Sequence, residues 1–291
     1  MRALHLTARA ALDCAYLVRS RYSRRNKVRV LLAYLRLTIK VLLGADPAGA
    51  RTERVLGYRV RHFGSGSLQF LFREIFVRAD YFFETAVERP VVVDCGSNIG
   101  LATLFFKWLY PRCEVHAFEP DPETFAVLRD NVEQNALADV HLHNVALCER
   151  NGSVDFFVSR SGPGSLVMSI LPGRMPEVET RRIVVEGHTL SAYLEGREVD
   201  FLKMDIEGGE QGVLRELAGA GVLRRVKEMV VEYHHNLPGS HGGLGGFLQL
   251  LQDSGFQYHV DATRGAPTEF QDILVCATSA DGRLGRDRLG R

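Results

Sequence analysis

No stretch of this chain is long and apolar enough to cross a bilayer. The best candidate, Val28 to Leu43, is broken by Arg36 and Lys40, short of the roughly 20 apolar residues a span needs. No cleaved leader is expected either, because Arg9 and Asp13 interrupt what should be its apolar centre. Cysteine is scarce and scattered. Cys14, Cys95, Cys113, Cys148 and Cys276 are odd in number and lack metal-ligand spacing, which excludes a zinc framework and fits a reducing cytoplasm. Net charge is nearly absent, with 36 Lys and Arg against 35 Asp and Glu, so nothing draws the whole chain to nucleic acid. No internal repeat is evident. The 291 residues, 46% hydrophobic, suffice for one α/β domain with additions or for two small domains.

Charge is uneven along the chain. Residues 1–40 carry ten Lys or Arg and one acid, Asp13. Val28, Leu31, Leu32, Leu35, Ile39, Leu42 and Leu43 fall near one helical stripe, with Arg25, Arg29, Arg36 and Lys40 on another face. Residues 1–50 are therefore expected to form a basic amphipathic helical arm, ending in a linker at Asp46 to Ala50. The arm packs on the core or on a partner in a homodimer, or residues 1–45 touch an anionic membrane surface. The expected location is cytoplasmic, with peripheral contact at the inner face of the membrane as the alternative.

The most informative segment is Val91-Val92-Val93-Asp94-Cys95-Gly96-Ser97-Asn98-Ile99-Gly100. An apolar run ends in an acid, two glycines follow, and an amphipathic stretch begins at Leu101, which predicts a buried parallel strand, a tight turn and a helix. A second short strand, Val115 to Phe118, ends in Glu119 and Pro120. In a doubly wound sheet, ligands bind where strand ends open at the switch point. A dinucleotide fingerprint needs G-x-G-x-x-G, but here two glycines stand in G-x-x-x-G and no Lys or Arg follows to neutralise phosphate. S-adenosylmethionine carries a sulfonium, an ammonium, a carboxylate and an adenosine, and no phosphate. Asp94 suits the ammonium, directly or through water. The N–H groups of Gly96, Ser97, Asn98 and Gly100 with the helix N-terminus suit the carboxylate, and Glu119 suits the ribose hydroxyls.

These segments resemble the FkbM-type methyltransferases, which use S-adenosylmethionine. The resemblance rests on Val93 to Gly100, on Phe118-Glu119-Pro120, on Asn144-Val145-Ala146-Leu147 and on Leu202 to Glu210, in that order between Arg73 and Tyr233. It implies O-methylation of a small-molecule or glycan acceptor, such as a sugar or secondary-metabolite hydroxyl. The chain departs from the family pattern at Ser191, where an acid would follow Thr189-Leu190.

From Val91 onward strands and helices alternate, so the expected fold is α/β, a Rossmann-like class I methyltransferase sheet, mostly parallel with an antiparallel closing strand. Residues 51–278 form this domain and residues 279–291 a flexible tail. Before it, Val55 to Phe63 reads as one strand, Gly64 to Ser67 as a turn, and the aromatic run Leu68 to Phe83 as core or as a cover for the cleft. Asp121 is the predicted N-cap of a helix from Pro122, and Val140 to Leu147 is the third central strand. Ser153 to Val158 and Arg182 to Glu186 form an inserted hairpin around a long loop, Ser159 to Arg181, read as a lid or acceptor element.

Asn144 is placed to meet the adenine amino edge, with Val145 and Ala146 against its face. Asp205 and Glu207 end the fourth central strand, project to one side, and are the candidate bases, with Asp205 also near the cofactor; Lys203 shares their face. Glu210 either joins them or caps the next helix. His234, at the end of the fifth strand beside Glu232 and His235, is the candidate histidine for the acceptor's proton. Oxygen ligands at Asp205 with Glu232 or Glu207 would suit magnesium, but no spacing demands a metal and none is assigned. Two other readings stay open: a non-catalytic methyltransferase fold docking through its basic N-terminus, and an NAD-dependent oxidoreductase.

Overall fold

The computed structural model describes residues 12–44, 51–159, 168–171, 179–194, 196–237, 243–262 and 269–280. A hairpin of β1 (Arg51–Val55) and β2 (Tyr58–His62) leads into β3 (Val91–Cys95), β4 (Glu114–Phe118) and β5 (Val140–His143). A smaller group follows: β6 (Ala146–Leu147), β7 (Gly152–Ser159) and β8 (Thr180–His188). Then come β9 (Val199–Met204), β10 (Val226–His235), β11 (Phe256–Ala262) and β12 (Gln271–Ser279). The central sheet has seven strands in the order β11-β12-β10-β9-β3-β4-β5. Pairing is parallel from β10 to β5, and β12 runs antiparallel between β10 and β11. This is the Rossmann-like sheet with an antiparallel closing strand that the alternation predicts.

The central strands read as near-continuous apolar runs because both faces are covered. β9 is buried along its whole length. Its residues alternate between two cores, Phe201 packing with Val92, Val115 and Val230 on one side, and Leu202 and Met204 with Val93, Cys95 and Phe118 on the other. Sheet order reverses between β3, which is followed in sequence by its neighbour β4, and β9, which arrives a hundred residues later. That reversal is the switch point of the fold.

Four expectations change in detail. Val55 to Phe63 is not one strand. Leu56 (φ 52°) and Gly57 (φ 103°) turn the chain between β1 and β2, as a two-residue hairpin with positive φ at both positions does. The expected turn at Gly64 to Ser67 is instead a helix start, Gly64 capping Ser65–Phe72, which widens into a π-helical segment, Arg73–Arg78, ending at Ala79 (φ 59°). Val140 to Leu147 splits into two strands. The Asn144 side chain donates to the carbonyls of Glu119 and Pro120, and β6 leaves the main sheet to pair with β8. The fourth concerns the arm.

No described helix is long and apolar enough to cross a membrane. The arm helix, Arg24–Leu42, packs on the core, but not with its expected stripe. Val30, Tyr34 and Leu37 are buried, while Val28, Leu32, Leu35, Ile39, Leu42 and Leu43 are exposed. Leu17 and Tyr22 join the same core, so the described arm shares it with Phe72, Phe76 and Phe105. Its solitary acid, Asp13, is buried, accepts the Tyr34 hydroxyl and pairs with Arg73 Nε at 2.7 Å. The linker at Asp46 to Ala50, the tail beyond Ala280 and most of the expected lid lie outside the described residues; of that loop, Met168 to Leu171 is described.

Removing one partner from a buried ion pair strands the other. Asp13→Ala is therefore expected to lower stability by about 3–5 kcal/mol in urea unfolding, whereas Asp155→Ala, at an exposed pair with Arg182, changes it by about 1 kcal/mol or less.

Candidate active site

A cavity of about 500 Å³ opens at the C-terminal ends of β3, β4, β9 and β10, at the switch point. Such a volume suits a nucleoside-sized ligand with part of an acceptor. Its floor is the turn after β3. Gly96 (φ 78°) lies against β9, and a Cβ there would overlap the carbonyl oxygen of Asp205, so no other residue fits. The Gly96 and Ser97 amides donate to Phe118 O at 3.0 and 2.9 Å. The Asn98 amide donates to Glu119 Oε2, the Ile99 amide to Asn98 Oδ1 and the Gly100 amide to Ser97 O. Every amide from Gly96 to Gly100 is thus bonded within the protein. The turn has no spare donors for a pyrophosphate, and the cofactor carboxylate expected on these amides is left with the start of the helix Leu101–Leu109, where Leu101 and Ala102 line the cavity.

Gly96, Ser97, Asn98, Glu119, Val145, Ala146, Asp205 and Glu207 line the cavity as expected. Four expected residues do not. Asp94 is fully buried behind the wall, accepting from Thr103 Oγ1 at 2.7 Å with Lys203 Nζ 3.6 Å from its other oxygen. It therefore supports the helix start and Lys203 rather than meeting a ligand. Gly100 (φ 84°) caps the helix and packs on Leu128. Asn144 spends its side-chain N–H groups on two backbone carbonyls, as above. His234 is the fourth.

Lys203 stands at the centre. Its ammonium donates to Cys95 O (3.1 Å) and Gly96 O (2.6 Å), lies 3.6 Å from Asp94 and 3.7 Å from Asp205, and sits 5.5 Å from the ring centre of Tyr81. Burial opposes its charge, but Asp205 and Asp94 outweigh this and raise its pKa. Glu119 is held by two amides, Asn98 N and Asp121 N, each at 2.9 Å. Burial nevertheless pushes its pKa up to about 8, the amides and Lys203 pulling only partly against it.

Asp205, Glu207 and Glu210 surround the buried His234. Its Nδ1 lies 2.8 Å from Glu210 Oε1, and its Nε2 lies 3.1 Å from Glu207 Oε2, 3.7 Å from Asp272 and 3.9 Å from Asp205. Burial lowers the pKa of His234, but Glu210, Glu207 and Asp205 more than reverse this and push it up to about 10. A protonated imidazole has no lone pair to offer, so the expectation that His234 takes the acceptor's proton is revised: in this state it organises the carboxylates. Glu210 also accepts from Ile206 N and Gly208 N, which makes it the cap of its own turn. Glu207 sits at φ 57°, its carbonyl accepting the hydroxyl of Ser169 from the expected acceptor loop. Met168 and Ile170 of that segment line the cavity beside it.

The aromatic run lines the cleft, in line with one of its two expected readings, but sequence reasoning assigned no site residue there and missed the acids of the closing strands. Glu74 and Asp80, from the aromatic run, and Asp261 and Asp272, from β11 and β12, also line the cavity. Burial and neighbouring acids raise Glu74 to about 7 and Asp80 to about 6, with Arg78 opposing both. Burial and Asp205 hold Glu232 well above the carboxylate range. The acids of the aromatic run were visible as charges among apolar residues, but Asp272 reaches the site only through its cross-strand pairing with His234. Ser191, where the family pattern has an acid, donates its hydroxyl to Glu216 at the start of the one-turn helix Ser191–Leu194 and lies outside the cavity.

The methyltransferase FkbM domain description matches residues 94–258. The chain is 29% identical over 227 residues to Methyltransferase 1 of Beauveria bassiana, covering 72% of this chain and 89% of that one. It is 30% identical to the 31-O-demethyl-FK506 methyltransferase FkbM of Streptomyces tacrolimicus, covering 69% and 86%. Over a shorter stretch, 50% of this chain and 63% of the relative, it is 32% identical to the 2-O-methyltransferase NoeI of Sinorhizobium fredii.

The carboxyl of Glu119 makes a pH prediction. Its pKa is higher folded than unfolded, so its ionisation costs stability as pH rises from about 4.5 to about 8. Glu119→Gln cannot ionise. The stability advantage of the native chain over Glu119→Gln should therefore shrink between pH 5 and pH 8, as read by thermal unfolding without ligand.

Proposed function

From the premise that the chain belongs to the methyltransferase FkbM domain family, we propose that it uses S-adenosylmethionine to methylate a hydroxyl of a sugar, glycan or secondary-metabolite acceptor. The observation that carries this reading is the cavity itself: a switch-point slot with no free turn amide for phosphate and a wall of carboxylates suited to a cation. Bound there, S-adenosylmethionine supplies a methyl group on a positively charged sulfur, which becomes a neutral thioether on transfer. Glu119 keeps a lone pair on each oxygen for the ribose hydroxyls, and Val145 and Ala146 give the base an apolar face. Asp205 and Lys203 fix the depth of the methyl end, and Glu207, its carboxylate 3.1 Å from His234 Nε2, takes the acceptor's proton. Relatives whose names specify 31-O and 2-O positions support a hydroxyl acceptor.

Calorimetry with S-adenosylmethionine tests the cofactor half: saturable binding by the native chain, lost in Glu119→Ala, is expected. For the proton acceptor, Glu207→Gln should retain that binding yet lower kcat by about 10²–10⁴-fold once an acceptor is in hand. An unchanged kcat would assign the proton elsewhere.

Peripheral contact with an anionic membrane is the second part of this reading. Val28, Leu32, Leu35, Ile39 and Leu42 recur every three or four residues on the open face of the arm helix, which holds six basic residues and no acid. Arg24 and Arg25 are exposed at its start. Vesicles containing phosphatidylglycerol should sediment the native chain, and Leu32→Glu with Leu35→Glu should abolish this. Retention by neutral vesicles alone, or a dimer that the same substitutions dissociate, would replace the membrane with an apolar or a self-pairing partner.

A further inference from the structure

The end of β9 and the end of β10 lie side by side, Met204 in register with Val231. That pairing sets Asp205 next to Glu232, with His234 one pleat further on the same side of β10. One donor atom from each of these three residues lies within 4.8 Å of the others. Two carboxylate oxygens and an imidazole nitrogen at this separation surround a point within coordination reach of a divalent ion.

The histidine supplies an observation independent of the acids. His234 is 3% exposed, and its Nδ1 is committed to Glu210 at 2.8 Å, which turns Nε2 towards the cluster. That Nε2 is buried and makes no hydrogen bond; Glu207 Oε2 is close, at 3.1 Å, but out of line. A carboxylate behind a histidine whose second nitrogen faces oxygen donors is the outer arrangement that metal-binding histidines use. Charge agrees. The cavity is lined by eight carboxylates against two cations, Arg78 and Lys203. Arg78 is paired with Asp80 and Glu74, Lys203 with Asp94 and Asp205, and no hydrogen bond among the described residues reaches Glu232.

We propose that Asp205, Glu232 and His234 Nε2 bind one divalent cation, of the manganese or magnesium kind, which takes the place of the Nε2 proton, that proton passing to solvent, and holds the oxygen of the acceptor. The proposal rests on the methyl-transfer reading for its role, though not for its geometry. Three protein donors on one side leave coordination positions open towards the cavity. An acceptor hydroxyl, or a vicinal pair, occupies them, and the ion lowers the cost of removing its proton. In the step itself the acceptor oxygen bonds the methyl carbon, the carbon–sulfur bond breaks with its electrons passing to sulfur, and the hydroxyl proton passes to Glu207. The ion keeps its charge throughout.

The test titrates Mn²⁺ into the full chain without S-adenosylmethionine, following the free-ion signal by electron paramagnetic resonance and the heat by calorimetry. A second cluster, Glu114, His116 and His141, stands on β4 and β5, so the titration uses the His141→Gln background. One Mn²⁺ per chain should bind in that background. Glu232→Gln should weaken it by more than the roughly 10–100-fold that loss of an outer partner costs. Should Glu232→Gln fail to fold by circular dichroism, Asp205→Asn answers the same question. Undiminished free Mn²⁺ up to millimolar concentration, or binding that disappears with His141→Gln, overturns the site. Mn²⁺ binding without S-adenosylmethionine binding would sink the methyl-transfer reading and leave the metal site standing.

Discussion

One buried ammonium holds the site together. Lys203 bridges the two strands between which the sheet reverses, donating to the carbonyls of Cys95 and Gly96 while standing between Asp94 and Asp205. A lone ammonium in such a place would be costly, and two carboxylates alone would repel each other. Together the three are tolerable, and the bonds to the turn carbonyls spend the remaining donors. The glycine turn, the start of the following helix through Thr103, and the position of Asp205 all lean on this one side chain.

The rest of the cavity runs an unbalanced charge. Carboxylates from six separate segments converge on it, and several are pushed towards neutrality by burial and by one another. The fold gains nothing in stability from such an arrangement. Its carboxylates become comfortable when positive charge arrives, so the unliganded protein carries an electrostatic deficit that a cationic ligand offsets. The same wall would reject a phosphate-bearing cofactor twice over, through repulsion and through the saturated turn amides.

Much of this was legible in the sequence because it is local. An apolar run, an acid and paired glycines define a strand and turn within ten residues, and Asp121 with Pro122 marks a helix start in four. The sheet class followed from alternation. What escaped depends on pairing between distant strands or on which way a side chain turns. Asp94 looked like a ligand group because it ends β3, yet its place in the pleat puts it behind Lys203. Asn144 looked like part of a strand, and its bonds to two carbonyls end that strand instead. Asp261 and Asp272 carry no local mark at all, since only the antiparallel register of β10, β11 and β12 brings them to the rim. The arm helix has two apolar faces, and periodicity could not say which one the core would take.

The bond from Ser169 to the carbonyl of Glu207, with the backbone bridge between Ser169 and Phe157, ties the inserted sheet to the rim of the site. Ala146 and Leu147 of β6 and Phe156 of β7 line the cavity, so the inserted sheet supplies part of its wall. Glu207 is thus a seam between the inserted sheet and the main one. A change at Ser169 would then be felt at Glu207 without any change in the main sheet.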